Sequence, residues 1–539
     1  MKKDLKVLGI LLPLCSTVFL AAGCGGNNRQ YDPNNFNETG DQIVKEKISL
    51  KFVVPRHHLQ SNWKDMKLFK KLEERTNIHI DFIEYSVETY GDSVDTHWAT
   101  NDLPDAFFTY NSITDIASHG RNGVIYELGD YLDSYAPNYK ALVSRPEYKE
   151  HYERSLIDGK IYSPAMINDV PRDQTFKQFL NVQWIKNIQD RYFDDHGEYL
   201  SENPATLEEY EKILYAFKKY DANKDGNPDD EIPLSSYSMY QTRNFILSAL
   251  GHVSTGFELN NGQVGYVQTT DAYRKYLELC RKWFVDGILD GKVFEKATVE
   301  DLAREGSKCG SFDSAAAYLI AGKDKDKDYI AVQPLTSSIN SRKMWLKFST
   351  VSEPSVVQIP KTTPYVREIV RWIDNFYGDY GLKLASFGEE GVDWQWNNEE
   401  HSSFHFNVDN KDLNPDNKSL EEFRGTLTCG PGTGIPYWSK EFVLKDDNEY
   451  TSRINEVVKN AGYENYFVEP MPYIILDRND SKKMNQLNYD ISTAGTTFEL
   501  KAITGKDGFV LNDTTWNSQL NKLKTVGLGE ALEIYQRYI

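Results

Sequence analysis

Cysteine is scarce. The five in this 539-residue chain are too few and too scattered for a disulfide framework or a zinc site. Cys15 and Cys24 lie near the start, and Cys280, Cys309 and Cys429 are spread over the rest. Cys280 falls on the apolar stripe of a predicted helix, so its plain reading is a buried thiol. Positive charge is also short. Lys and Arg number 61 against 80 Asp and Glu, a formal net charge of −19. That balance argues against a nucleic-acid partner and against a strongly anionic ligand. The longest apolar run is about a dozen residues, whereas a bilayer span needs roughly 20. Catalytic signatures are missing too: there is no metalloprotease His pair, no Gly-x-Ser-x-Gly and no phosphate-binding Gly-rich loop. Glu389, Glu390 and Asp393 have the residue types of a glycosidase carboxylate pair. In so acidic a chain their plain reading is a solvated cluster, and no enzyme is expected.

The first residues set the compartment. Lys2, Lys3 and Lys6 precede the apolar stretch Leu8–Phe19, and Leu20-Ala21-Ala22-Gly23-Cys24 follows. This is the layout of a secretory signal peptide over residues 1–23, with Cys24 placed to carry a lipid. The aliphatic residue common three places before such a cysteine is displaced, with Leu20 one position earlier and Ala21 in its stead. Residues 24–46 are rich in Gly, Asn, Asp and Gln and read as a flexible tether that buries too little to fold.

Beyond the tether, about 490 residues exceed what one compact core accommodates and imply two lobes. Strand-like and helix-like segments alternate: Ile48–Pro55 as a strand, 62–76 as a helix, then strands over 78–85 and 105–110. This β-α-β order implies a mostly parallel sheet covered by helices. A second unit begins near residue 166. Its clearest helix opens on Thr206 and Glu209, a capping-box pair, and continues through Leu207, Tyr210, Ile213, Leu214 and Phe217. Another runs from Asp271 to about Asp286. Residues 398–420 and 440–450 read as polar surface loops, and 514–539 as two helices.

The strongest local motif is Asp221-Ala-Asn-Lys-Asp-Gly-Asn-Pro-Asp-Asp-Glu231, which begins like an EF-hand loop. Calcium takes six to eight oxygens. Asp221, Asn223 and Asp225 alternate so as to supply three. Gly226 permits the sharp turn, Asn227 offers its carbonyl, and Asp229, Asp230 or Glu231 closes the shell. Position twelve is Ile232 rather than Glu, and Pro233 follows, so no exiting helix starts there. A structural Ca²⁺ is expected.

The order of several stretches resembles family 1 extracellular solute-binding lipoproteins of ABC importers, in the large Gram-positive branch related to alginate-oligosaccharide-binding proteins. These stretches are WKDMKLFKKLEERTNIHIDFIEY (63–85), NDLPDAFF (101–108), LGDYLDSYAPNY (128–139), DGKIY (158–162), residues 206–233 and 276–289, GEEGVDW (388–394) and GLGEALEIYQRY (527–538). Asn181-Val182-Gln183-Trp184 departs from the basic-acidic pair usual before that tryptophan. The resemblance implies an α/β, two-lobed periplasmic-binding-protein-like fold of type II, each lobe a mostly parallel sheet flanked by helices, with a hinge of crossing strands. The expected lobes are 47–165 with 345–425, and 166–344 with 426–539. It further implies a monomer, lipid-anchored at the extracellular face of the membrane, that passes a carbohydrate to ABC permease subunits. A sensor serving a signalling partner is the alternative. The calcium loop likewise resembles the shortened loop of the alginate-binding relatives.

Sugar rings need flat apolar faces and hydroxyl partners. Arg56, His58 and Tyr110 follow strands of the first lobe, while Tyr240 and Trp345 lie near loops or crossings of the second. Trp394 and Trp396 follow a Gly-bounded turn, and Tyr437 and Trp438 follow Gly430–Gly434. These are the candidate ligand contacts.

If Cys24 carries the lipid, Cys24→Ala releases protein to the medium or leaves unprocessed precursor. Mass spectrometry of mature wild-type protein is expected to find Cys24 modified; an unmodified Cys24 would refute the assignment.

Overall fold

The structure, a computed structural model, describes residues 31–539 except 155, 171, 172, 174, 237, 238, 295–307, 348–353 and 473. The signal segment, Cys24 and the start of the tether lie outside the described residues. No described helix is long and apolar enough to cross a membrane.

The first sheet holds β1 (Ile48–Arg56), β2 (Ile78–Ser86) and β3 (Ala106–Phe108), all parallel, with β11 (Val357–Gln358) returning antiparallel beside β3. Phe52, Val53 and Val54 are consecutive and fully buried, as befits a strand covered on both faces. The segment expected as one helix over 62–76 is a 3-10 turn, Trp63–Asp65, followed by the helix Lys67–Thr76. Met66, extended at ψ 140°, separates them. The apolar side is as read: Trp63, Met66, Leu68, Phe69 and Leu72 are all buried.

Strand β3 ends earlier than its sequence suggests, because Thr109 and Tyr110 both turn to left-handed backbone, φ 59° and 58°. The tether also orders sooner than its composition implies. Phe36, Ile43 and Val44 are buried in the first core, and the Arg367 guanidinium lies 4.4 Å from the Phe36 ring centroid. Three apolar residues among many polar ones suffice because Arg367 and Arg371 also bind this segment's carbonyls.

In the second lobe β5 (Lys177–Asn181) lies between β8 (Ser311–Ser314) and β9 (Tyr329–Ala331), antiparallel to both. Parallel bridges Ile232–Cys309 and Leu234–Leu289 extend the β8 side. The fold class is the α/β one expected. The reversed β5 is a detail that segment alternation does not encode. Thr206 caps the helix Leu207–Lys219, accepting from Glu209 N at 3.1 Å, while the Glu209 carboxylate reaches one residue further back, to Ala205 N.

The chain crosses between lobes three times. Short parallel pairs mark the crossings: β4 (Ile167–Asn168) with β14 (Tyr437–Trp438), and β10 (Trp345–Leu346) with β15 (Phe467–Val468). Core membership moves two expected boundaries. Trp345 and Leu346 belong to the second core, and Cys429, Ile435 and Tyr437 to the first. The stretches expected as loops over 398–420 and 440–450 contain β13 (Phe404–Phe406), paired with β12 (Trp394–Trp396), and the short helix Lys440–Val443.

One buried ion pair ties three helices of the second lobe together. Arg243 Nε, on the helix Tyr240–Ala249, donates to Glu499 Oε1 at 2.8 Å. Glu499 lies on the 27-residue helix Arg478–Thr504. It also accepts from the hydroxyls of Tyr273 and Tyr276, on the helix Asp271–Val285.

Candidate inter-lobe site

The three parallel strands of the first sheet end together at Arg56, Ser86 and Phe108, and in open α/β sheets ligands bind beyond such ends. Arg56 is committed locally, with Nε 3.3 Å from Glu84 Oε2. The His57 and His58 rings lie 4.0 Å apart. Burial, and then the neighbouring His58, lower the His57 pKa below the usual histidine value. Gln60, which the sequence reading missed, is buried. Its Nε2 lies 2.7–2.8 Å from the carbonyls of Cys429 and Pro431 and from Thr433 Oγ1. It thereby pins the glycine loop over the sheet edge. Gly432, at φ 85°, packs so closely on His57 that a Cβ would sit 2.1 Å from the ring. The glycines thus permit close approach to His57.

On the second lobe, Ser236 and Thr242 both donate to Asp313 Oδ1, and the Ser236 hydroxyl accepts from Met239 N. Gln178 joins the network through Thr242 and Ser311. It fixes Met239, left-handed at φ 58°, and so presents Tyr240, half exposed, at the head of its helix.

Among the described residues, two cavities lie in this region. One, of about 340 Å³, takes its walls from both lobes: Thr114, Ala117 and Arg121 from the first, Phe257, Asn485 and Tyr535 from the second. The other, of about 240 Å³, lies against the crossing strands, lined by Tyr240, Asn260, Arg342, Leu346 and Val468. Phe257 and Met471 line both. Met471 belongs to a strap without regular secondary structure, the described residues of 469–477, between β15 and the helix Arg478–Thr504. Further along the strap, Ile475 packs on the first-lobe cluster of Ile116, Ala117, Ile125, Ile157 and Tyr162.

The aromatic candidates divide. Trp345 is fully buried, stacked 4.3 Å from Tyr463 at 12° and 4.9 Å from Phe176. Trp394 is fully buried, with Nε1 on the Gly388 carbonyl at 3.0 Å. Tyr437 is buried in the first core. These three are core residues and leave the candidate set: Trp394 and Tyr437 occupy the inward positions of β12 and β14, and β10 is buried at both of its residues. Trp396 stacks on His401 at 4.5 Å and 4°, with Lys445 also facing the ring; its faces are occupied. Trp438 lies at a crossing, where Nε1 donates to Asp173 Oδ2 at 3.0 Å and the Arg424 guanidinium lies 5.0 Å from the ring. The acidic cluster is paired: Asp393 with Lys67, and Glu389 with Lys71.

In the loop 221–231, Gly226 has φ 92°. Asp221 accepts from the backbone N–H groups of Asp225 and Gly226, and Asn223 from that of Asp225. Asp225 accepts from Asn227 N and Asn227 from Asp229 N. Glu231 is fully buried; Oε1 accepts from Ala222 N while Oε2 has no donor against it. Burial raises its pKa. Asp230 is turned away to Lys308, 2.6 Å distant. The turn and the donor types suit a hard cation, with Glu231 Oε2 an unmatched buried acceptor. Among the described residues, however, no three His, Cys, Asp or Glu side chains are already gathered for a metal.

Two α/β lobes joined by crossing strands, with a cavity walled from both, define the fold of the extracellular solute-binding proteins. No family model matches the chain, but individual proteins do. It is similar to the fructooligosaccharide ABC transporter substrate-binding protein FusA of Streptococcus pneumoniae, 24% identical over 97% of this chain and 96% of FusA. It is also similar to the lipoprotein LipO of Bacillus subtilis, 21% identical over 78% of this chain and 80% of LipO. Its fold matches FusA in complex with kestose at a TM-score of 0.74, with 20% identity, covering 91% of this chain and 98% of that one. The alginate-binding protein AlgQ2 without calcium ion matches at 0.71, with 17% identity and coverage of 92% and 99%.

Burial separates two tryptophans experimentally. Trp394→Ala is expected to cost roughly 3–5 kcal/mol of stability by leaving a cavity. Trp438→Ala, at the half-exposed crossing, is expected to melt much closer to wild type. Chemical denaturation of both variants checks this, and equal losses would place Trp438 in the core as well.

Proposed function

We propose that this protein is the solute-binding component of an ABC importer, that it captures an oligosaccharide between its lobes, and that Cys24 holds it by a lipid at the outer face of the membrane. The observation that carries the reading is the cavity walled from both lobes, in a chain aligned almost end to end with a fructooligosaccharide-binding relative. A ligand touching both walls binds the closed arrangement better than the open one and so shifts the population toward it. The permease then has a closed form to recognise. Tyr240, Phe257 and Tyr535 offer flat faces for the C–H side of sugar rings, and Asn260, Asn485 and Thr114 offer hydroxyl partners. A ligand that binds only the native state raises its melting temperature. A thermal-shift panel of oligosaccharides, with peptides and amino acids as controls, is therefore expected to give a stabilising glycan. A peptide hit with no glycan hit would overturn the reading.

Calcium in the loop 221–231 belongs to the same proposal. Support comes from the unmatched Glu231 oxygen, and from an EF-hand mutant of FusA crystallised with fructo-nystose (TM-score 0.72, 20% identity), which indicates such a motif in that relative. Asp221, Asn223, Asp225, the Asn227 carbonyl, Asp229 and Glu231 supply the oxygens; Asp230 stays with Lys308. Chelation is expected to lower the melting temperature, with Asp221→Ala/Asp225→Ala mimicking it. Metal analysis that finds no calcium after millimolar loading would refute this.

A further inference from the structure

Two residues, Phe257 and Met471, line both cavities and so stand where the two adjoin. Phe257 is held edge-on against Tyr535, ring centroids 4.7 Å apart at 68°, and at 5.0 Å from Tyr266. Its position is therefore set by second-lobe packing. Met471 is different. Pro470 and Pro472 flank it. Proline fixes its own φ and confines the residue before it to extended backbone, so the main chain at Met471 has little freedom. The strap is also anchored at both ends, through β15 on one side and through Ile475 and the cap residue Asp477 on the other. The Met471 side chain, half-buried, unbranched and with three rotatable bonds, is the adjustable one of the two residues that line both cavities.

We infer that Met471 is a movable partition that sets the length of oligosaccharide this protein holds. The inference rests on the proposed function and adds to it the assignment of a length-determining residue. With the side chain across the gap, a short sugar occupies the compartment shared by the two lobes. With it swung aside, a longer chain continues past Phe257 toward Tyr240 and the crossing strands. Each compartment alone lies near or below the lower end of the range for small-molecule sites, roughly 300–1,000 Å³, and the joined groove falls well inside it. Of the charged lining groups, Arg121, Glu258 and Glu469 are paired with Asp158, His252 and Lys347, while the Arg342 guanidinium lies against the Met344 sulfur and can donate to a sugar hydroxyl.

The test is a length series measured by calorimetry on wild type, Met471→Ala, Met471→Leu and Met471→Trp. The probes are inulin-type and maltodextrin ladders from three to six rings. Met471→Ala is expected to raise the affinity for six rings relative to three by tenfold or more. Met471→Trp is expected to lower that ratio by a similar factor, and Met471→Leu to hold it within twofold of wild type. A residue that only supports the fold would change all lengths alike, so a ratio that stays within twofold in both the Ala and Trp variants overturns the inference while leaving the oligosaccharide reading intact. Wild type that binds no rung of either ladder overturns the inference too. The broader reading falls only if the whole glycan panel is also silent.

Discussion

Glu499 sits almost fully buried between Arg243 and the hydroxyls of Tyr273 and Tyr276. A lone carboxylate in that place would be costly, and removing either charge of such a pair typically destabilises by about 3–5 kcal/mol. Its importance here is geometric. Arg243 lies one turn beyond Tyr240, so the pair fixes the helix that carries one wall of the inter-lobe groove. Glu499 belongs to the helix that begins where the strap ends, so the same contact fixes the element behind Met471 and Ile475. Both second-lobe walls are thus referred to a single point in the core. The second-lobe part of the groove is thereby tied to one buried contact.

The first lobe solves the same problem without charge. Gln60 gathers the carbonyls of a distant loop, and Gly432 lets that loop lie flat on His57. An amide suits this role. It donates to the Pro431 carbonyl and, alongside the Thr433 hydroxyl, to that of Cys429, and it does not titrate. Next to it, Thr109 and Tyr110 hold left-handed backbone at the end of β3. A β-branched residue there is strained. Val356 meets that cost in part by accepting from Thr109 N at 2.7 Å, and the result is that Tyr110 projects from the sheet edge, more than half exposed.

Much of the fold was legible because it is written in local patterns. Consecutive apolar residues give β1, helical spacing gives 207–219 and 271–285, and the number of residues gives two cores. The fold class followed, and the relatives agree with it. What was not legible depends on contacts between distant residues. Trp394 and Trp438 look alike in sequence, each just after a glycine-bounded turn; only the pairing of β12 and β14 decides which is buried. The tether was misjudged from Phe36 onward because its partners, Arg367 and Arg371, lie more than 300 positions away. Gln60 gave no signal, since one glutamine in a loop is chemically unremarkable until its acceptors are in place. The strap was overlooked for a different reason. Pro-Met-Pro reads as a break between elements, although its stiffness is what makes it a wall. Of the candidate contacts, Arg56, His58, Tyr110, Tyr240 and Trp438 remain at sheet ends, cavity or crossing.

Three crossings have a consequence for how this chain reaches its folded state. Asn111 bonds the Ser355 carbonyl, 244 positions later, and β3 finds its antiparallel neighbour only at Val357. The first lobe cannot complete its sheet, or bury Cys429 and Tyr437, until most of the polypeptide has been made. Contacts so remote in sequence form slowly, since the loop-closure cost comes before any gain. A nascent chain with this topology therefore stays unstructured for longer than one built from contiguous domains. Under the proposed placement at the outer face of the membrane, that delay would keep the chain threadable through a narrow translocation channel until both lobes can close.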